Sequence, residues 1–441
     1  MSRLTSAPSS LQVTQPGDRR GLVGNAATYT LANVANSAIP FLLLPVLTRV
    51  LSPEEFGLVT IFTTLMTAFG AFAGLSVHGA VNVRYFDVHT RHARYVGTAL
   101  VILGSSTFAV LVVVFLAAPW ISGWSQIARP WLFLAVLASG AQFVIQIRLV
   151  TWQVRRQPIR YGVFQVLQTA LNLGLSLLLI IAGDMGAEGR FIGVVVAVLL
   201  FAAVGLLTLH RARQVEWGFD LAYAKDALRF GIPLIPHVVG GVLIAASDRL
   251  MVAKLMSVRD AGIYAAGMQI GLVIAVLADA MVKAIGPWLF ASLARDDDMV
   301  KRNIVRMTYL CFIGIAALSV AFSAAAPHLL LLVGEQFRSS QDVVVYVALG
   351  AAFGGMYLMV VNYIFYAKRT EFLSAASLSV GTLNLIASYF LIGRYGAVGA
   401  AQAYAGSQLL LFVLTWFIAA RCHPMPWHTG LRGATVRSTG T

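Results

Sequence analysis

Residues 51–58 read Leu51-Ser52-Pro53-Glu54-Glu55-Phe56-Gly57-Leu58, and residues 256–263 read Met256-Ser257-Val258-Arg259-Asp260-Ala261-Gly262-Ile263. The octets lie 205 residues apart and agree at an apolar, a Ser, an acidic and a Gly position. Each follows a long apolar run. A second pair of segments corresponds farther along. Leu171-Asn172-Leu173, then Ser176, Asp184, Gly186-Ala187 and Gly189, matches Leu383-Asn384-Leu385, then Ser388, Arg394, Gly396-Ala397 and Gly399. The offset there is 212, falling to 210 at the Gly-Ala turn, and Arg156 and Lys368 each stand 16 residues before the Asn. Two matches in register, separated by the same number of apolar runs, define an internal repeat.

The runs that carry the repeat span residues 22–48, 57–80, 96–119, 130–151, 161–182, 190–209, 230–252, 261–288, 304–326, 342–366, 372–393 and 396–420. In a chain of 441 residues, 59% hydrophobic and 11% charged, with a mean hydropathy of +0.79, they leave little for a soluble domain. A soluble domain carries roughly 25% charged residues. Each run meets the ~20 residues a helix needs to cross a bilayer. Barrel strands would alternate over about ten residues, and these runs do not. The fold class is therefore all-α: a polytopic membrane protein of about twelve transmembrane helices. The first twenty residues are polar and lack a signal-peptide core, so the first span itself directs insertion.

The connecting charges set an orientation. With the N-terminus in the cytoplasm, 23 of the 32 basic residues fall in cytoplasmic segments and 8 on the opposite side, while Lys283 lies within a span. Basic residues in short loops favour the cytoplasm, and both termini are expected there. The net charge of +14 is thus a topology signal and implies no nucleic-acid partner. Cys311 and Cys422 form no metal-ligand or disulfide spacing, and no role is assigned to them.

Six spans per half is an even number, so both halves begin on the same side of the membrane. The repeat axis then runs along the membrane normal, which produces two six-helix lobes around a shared central site. The expected divisions are a disordered cytoplasmic tail at 1–21, an N-terminal lobe at 22–209, a cytoplasmic amphipathic linker at 210–229, a C-terminal lobe at 230–420 and a tail at 421–441. This is a transporter's plan.

The stretch Arg49-Val50-Leu51-Ser52-Pro53-Glu54-Glu55-Phe56-Gly57 resembles the polysaccharide-transporter family. So do Gly231-Ile232-Pro233-Leu234-Ile235-Pro236-His237, Ser247-Asp248-Arg249 and Ala261-Gly262-Ile263-Tyr264. That family, with its Wzx-type flippases, belongs to the multidrug/oligosaccharidyl-lipid/polysaccharide exporter superfamily. The resemblance runs from about residue 20 to 420. It implies a bacterial inner-membrane protein that moves an undecaprenyl-pyrophosphate-linked oligosaccharide from the cytoplasmic to the periplasmic leaflet. The product would serve O-antigen, capsule or exopolysaccharide assembly, with a polymerase among the downstream partners. Coupling to H+ or Na+ is the usual energy source in the superfamily, and no covalent bond changes.

An anionic pyrophosphate crossing a ~30 Å hydrocarbon layer needs a wet cavity with cations. Lys283 is the basic residue well inside a run, with Asp279 one turn earlier on the same face. It either contacts phosphate or pairs locally and snorkels. His78 stands 205 residues before Lys283 and either faces the same cavity or is a hydrogen-bonded core histidine. Asp248 and Arg249 form a site or a latch between lobes. Arg84 guards the cytoplasmic entrance or is ordinary inside charge. Asp279 and Asp248 are the candidates for ion coupling or gating. Arg49 and Lys254 read mainly as interfacial anchors. Pro40 and Pro45 in the first run, and Pro233 and Pro236 in the seventh, bend their helices; these are gating hinges or tolerated kinks. Asn172 and Asn384 contact sugar or bind across helices.

No P-loop, metal-ligand cluster or catalytic constellation appears, so neither an enzyme nor a cofactor is expected. A drug or cation exporter of the same superfamily is the main alternative, and it would favour an acidic cavity. A flippase for another lipid-linked cell-wall precursor is the second. A membrane glycosyltransferase or ligase would need large external loops, and the loops here are short.

Overall fold

The computed structural model describes residues 39, 41–85, 87, 90–293, 297–366 and 371–427. Every regular element among them is helical. Among the described residues, eleven helices are long and apolar enough to cross a membrane. The twelfth run is represented by its end, α1 (Phe41–Val50), which holds Pro45. The rest of the run 22–48 with Pro40, the tail at 1–21, and residues 428–441 of the second tail lie outside the described residues.

The first lobe continues with α2 (Pro53–Ala73), α3 (Val77–Arg84), α4 (His92–Ser125), α5 (Arg129–Val154), α6 (Pro158–Ile181) and α7 (Gly186–Arg211). The second comprises α8 (Leu221–Gly231), α9 (Ile235–Ala245), α10 (Ser247–Leu255), α11 (Val258–Gly271) and α12 (Val273–Leu293). It ends with α13 (Asp298–Leu329), α14 (Gln341–Tyr366), α15 (Glu371–Tyr395) and α16 (Ala397–Cys422). Packing repeats helix for helix. The pairs α4/α5, α5/α7 and α6/α7 have their counterparts in α13/α14, α14/α16 and α15/α16.

Burial explains this arrangement. The apolar windows of α5 and α14 are each 61% buried, because each sits at the centre of its lobe, whereas α4 is 28% and α6 17% buried, as helices facing lipid tails should be. The helices α2 and α11 also reach 61% although neither is central. They are covered by helices of their own lobes and by each other, across the boundary between lobes.

Among the described residues, three spans are interrupted. The second breaks between α2 and α3, where Leu75 and Ser76 adopt left-handed φ of 43° and 51°. The eighth breaks at Leu272, between α11 and α12. The seventh breaks twice, at a 3-10 turn Ile232–Leu234 containing Pro233 and again at Ala246. Pro236 occupies the first turn of α9, where a missing N–H costs little. The sequence placed one amphipathic helix over 210–229. The helix begins at Leu221 instead, follows an irregular stretch from 212 to 220, and runs on into the seventh span.

Candidate functional site

The two octets that reveal the repeat meet at one end of the bundle, here called the junction end. Ser52 caps α2: its Oγ accepts from the Glu55 N–H at 3.3 Å while a Glu55 carboxylate oxygen accepts from the Ser52 N–H at 2.9 Å. Ser257 caps α11 in the same way. Its Oγ accepts from the Asp260 N–H at 3.0 Å and donates to the Asp260 carboxylate at 2.6 Å. Each cap satisfies backbone donors that the first turn leaves open. It also fixes the angle at which each helix enters the bundle.

Gly57 and Gly262 then allow the backbones to touch. A Cβ on Gly57 would lie 2.1 Å from the Val258 carbonyl oxygen, and one on Gly262 would lie 1.9 Å from the Pro53 carbonyl oxygen. Val258 is the repeat equivalent of Pro53, so the contact is reciprocal. Glycine-to-carbonyl approaches of this kind contribute about 0.5–1 kcal/mol each. Glu54 and Arg259, again 205 residues apart, close the contact with an ion pair at 3.2 Å. Their side chains are 50% and 52% exposed, so the pair contributes at most about 1 kcal/mol.

The segment after α13 seals the same end. The Gly334 N–H donates to Thr48 Oγ1 at 3.2 Å, Arg49 donates to the Leu332 carbonyl at 3.2 Å, and Phe337 meets Phe56 edge-on. Arg49 therefore links the lobes as well as marking the end of its span.

At the opposite end, here the linker end, the connection between lobes is bound to the first lobe. Arg84 on α3 donates two hydrogen bonds to Asp226 on α8, at 2.8 and 2.6 Å, and the Tyr95 hydroxyl donates a third at 2.9 Å. The Asp226 hydrogen bond holds the Arg84 pKa above its ordinary value. Arg94 pairs with Asp220 at 3.4 Å and Arg91 with Glu216 at 3.3 Å. The Gly231 backbone presses on the Leu75 carbonyl, where a Cβ would lie at 2.0 Å. Beyond it, α9 packs on α15 of the second lobe. The 3-10 turn holding Pro233 thus joins a helix clamped to one lobe with a helix packed in the other.

The other candidates are dispersed. Lys283 and Asp279 form an ion pair at 2.5 Å on α12, with side chains 50% and 43% exposed. His78 lies against the Phe143 ring in the first lobe, with centroids 5.4 Å apart. Asp248 is fully buried, accepting from the Tyr264 hydroxyl and from the Arg249 N–H. Asn384 holds the second break of the seventh span: its amide donates to the Leu243 carbonyl at 3.0 Å and its oxygen accepts from Ser407 at 2.9 Å. A cavity of about 320 Å³ inside the second lobe is lined by His237, Tyr357, Ser377, Tyr404 and Gln408 among others.

Two arginines counted as loop charges are structural. Arg148 is 3% exposed within α5, donates to Gln214 at 2.5 Å and stacks on Trp152 at 3.9 Å. Arg190 donates to Asn172 at 2.5 Å and to Ser176 at 2.8 Å, joining α7 to α6. The sequence reading also passed over Glu54, Arg259 and Asp226. The shared offset of 205, with opposite charges at equivalent positions, was the available signal for the first two.

Residues 22–293 match the sequence profile of a family described as polysaccharide biosynthesis protein. The chain belongs to this polysaccharide biosynthesis protein family. Similar curated proteins include the lipid III flippase of Escherichia coli, 24% identical over 394 residues, covering 82% of this chain and 89% of that protein. Another is the succinoglycan biosynthesis transport protein ExoT of Rhizobium meliloti, 21% identical, covering 74% of this chain and 65% of that one. Among solved structures, an inward-facing multidrug resistance MATE family transporter of the MOP superfamily superposes with a TM-score of 0.67 at 14% identity, covering 89% of this chain and 94% of that one. The lipid II flippase MurJ, in an inward closed conformation, gives 0.65 at 12% identity, covering 91% of this chain and 86% of that one. These superpositions place the polysaccharide biosynthesis family member in the same two-lobed fold.

Proposed function

We propose that the protein is a flippase for polyprenyl-pyrophosphate-linked oligosaccharide units in surface polysaccharide assembly. The carrying observation is the junction. Reciprocal glycine contacts and a half-exposed ion pair close one end of a two-lobed membrane bundle tightly but with little energy. A contact that opens once per cycle must be of this kind. The relatives named as a lipid III flippase and a succinoglycan transport protein support a lipid-linked sugar as cargo.

The excess of basic residues around the linker end argues for placing that end in the cytoplasm of a bacterial inner membrane, with both termini inside. The junction then faces outward and the lobes are closed on that side. The sugar head enters from the cytoplasm while its lipid tail stays in the bilayer. Lys283, half-exposed on α12, is the assigned contact for the pyrophosphate, with Asp279 keeping it oriented. Arg249 and His78 are secondary cationic candidates. Asp248 is the assigned coupling group for H+ or Na+. Arg84 is committed to Asp226 and acts by anchoring the linker. No bond of the substrate is made or broken, and a polymerase consumes the product outside.

Deleting the gene should accumulate lipid-linked oligosaccharide on the cytoplasmic face and abolish a surface glycan. Normal glycan with raised sensitivity to cationic drugs would identify an exporter instead. Lys283→Ala should cut flipping several-fold at unchanged protein level, read in vesicles by access of a glycan-cleaving enzyme to the lipid-linked sugar. Unchanged flipping would remove Lys283 from the site.

A further inference from the structure

A cleft of about 610 Å³ lies directly over the junction and is walled by both lobes. Glu54, Trp124 and Gln126 line it from the first lobe, and Lys254, Ser257 and Arg259 from the second. Trp124 is the chemically unusual member. Its indole Nε1 is shielded from solvent and has no hydrogen-bond partner among the described residues. An orphaned buried donor costs about 1–3 kcal/mol, a cost that is relieved only where the ring shifts to meet an incoming acceptor. Trp120 braces the ring edge-on at 6.2 Å. Gln126, in a left-handed conformation at φ 58°, ends α4 and is exposed on the cleft wall.

An indole beside an amide, a carboxylate and a guanidinium is chemistry that suits sugars. The apolar C–H face of a pyranose stacks on the ring, and planar polar groups bridge neighbouring hydroxyls. Two bases stand against one acid, so the cleft suits neutral or acidic sugars and disfavours cations. We infer that this cleft is a saccharide-binding subsite that receives the sugar head on the junction side. The inference rests on the flippase reading and adds a second contact point to it. Because α4 and α2 form one wall and α10 and α11 the other, opening the junction changes the spacing between Trp124 and Arg259. A sugar that fits one spacing better biases the lobes toward that state, by its differential affinity alone.

The test uses the full chain in nanodiscs. The probe is the oligosaccharide released by mild acid from the lipid-linked material that accumulates in the deletion strain. Saturation-transfer NMR should show ring C–H protons of the sugar receiving magnetisation from the wild-type protein. Binding should weaken about tenfold in Trp124→Ala and measurably in Gln126→Ala, the latter a surface change that leaves the thermal midpoint unchanged. Tetraphenylphosphonium, a cationic probe, should give no transfer that Trp124→Ala removes. Absent transfer with wild type, or equal transfer in both variants, overturns the subsite while leaving the flippase reading standing. A deletion strain that accumulates no lipid-linked sugar overturns the flippase reading, and this inference with it.

Discussion

The junction end and the linker end both join the two lobes, but by opposite means. At the junction, equivalent residues of the repeat face one another, backbone against backbone, with one half-exposed ion pair. Among the described residues, the linker end holds no reciprocal contact. Residues 216–231 carry three acidic side chains that engage Arg84, Arg91 and Arg94 of the first lobe alone. The first contact is shape without much charge, and the second is charge in depth. Shape contacts separate cleanly once the helices part. A ladder of ion pairs and hydrogen bonds must be broken rung by rung. We read the junction as the part that moves and the clamp as the part that stays, with the 3-10 turn at Pro233 bending between them.

The sharpest way to break this contrast is Gly57→Leu. The new Cβ would collide with a backbone carbonyl, which no rotamer change relieves. Transport should fall by about an order of magnitude or more, since the strain exceeds 1.4 kcal/mol. Cysteines at positions 54 and 259, in a background lacking Cys311 and Cys422, should lose their cross-link. A normal cross-link with normal flux would end the idea that this contact closes and opens.

Asp226→Ala should come next. It removes the acceptor shared by Arg84 and Tyr95 and should lower stability by about 1–2 kcal/mol after allowance for partial exposure. The thermal midpoint should drop while the 54–259 cross-link survives. The exchange Arg84→Asp with Asp226→Arg should recover part of the loss. A midpoint unmoved by Asp226→Ala would show that the clamp carries no weight.

Glu54→Gln should have the smallest effect, under about 1 kcal/mol. It should lower the thermal midpoint only slightly, and salt should erase the difference because the pair is half exposed. The exchange Glu54→Arg with Arg259→Glu should behave as wild type. A large, salt-independent loss would mean that the ion pair, rather than glycine packing, dominates the junction.

Much of the architecture was legible in the residues. The apolar runs and the offset of 205 between Ser52 and Ser257 anticipated helices, lobes and repeat, because span length and pattern are local properties. The cross-lobe partners were harder. Glu54 and Arg259 are adjacent only because the repeat axis passes between them, a fact of assembly rather than of either segment. Arg148 and Arg190 were misread because a hydropathy pattern cannot see that Gln214 or Asn172 waits across the lobe to receive a guanidinium. Arg84 read as an entrance guard or as ordinary inside charge, because nothing local points to Asp226, 142 residues away.

The pairing of Glu54 with Arg259 has a consequence for descent. A contact in which residue i meets j while j meets i is the isologous interface of a two-fold homodimer. Gly57 on Val258 and Gly262 on Pro53 keep that form. In a true homodimer the position of Glu54 would oppose its own copy, acid against acid or base against base. In a single chain that constraint does not apply, and each half is free to carry the opposite sign. The ion pair is a feature that only the fused molecule can possess.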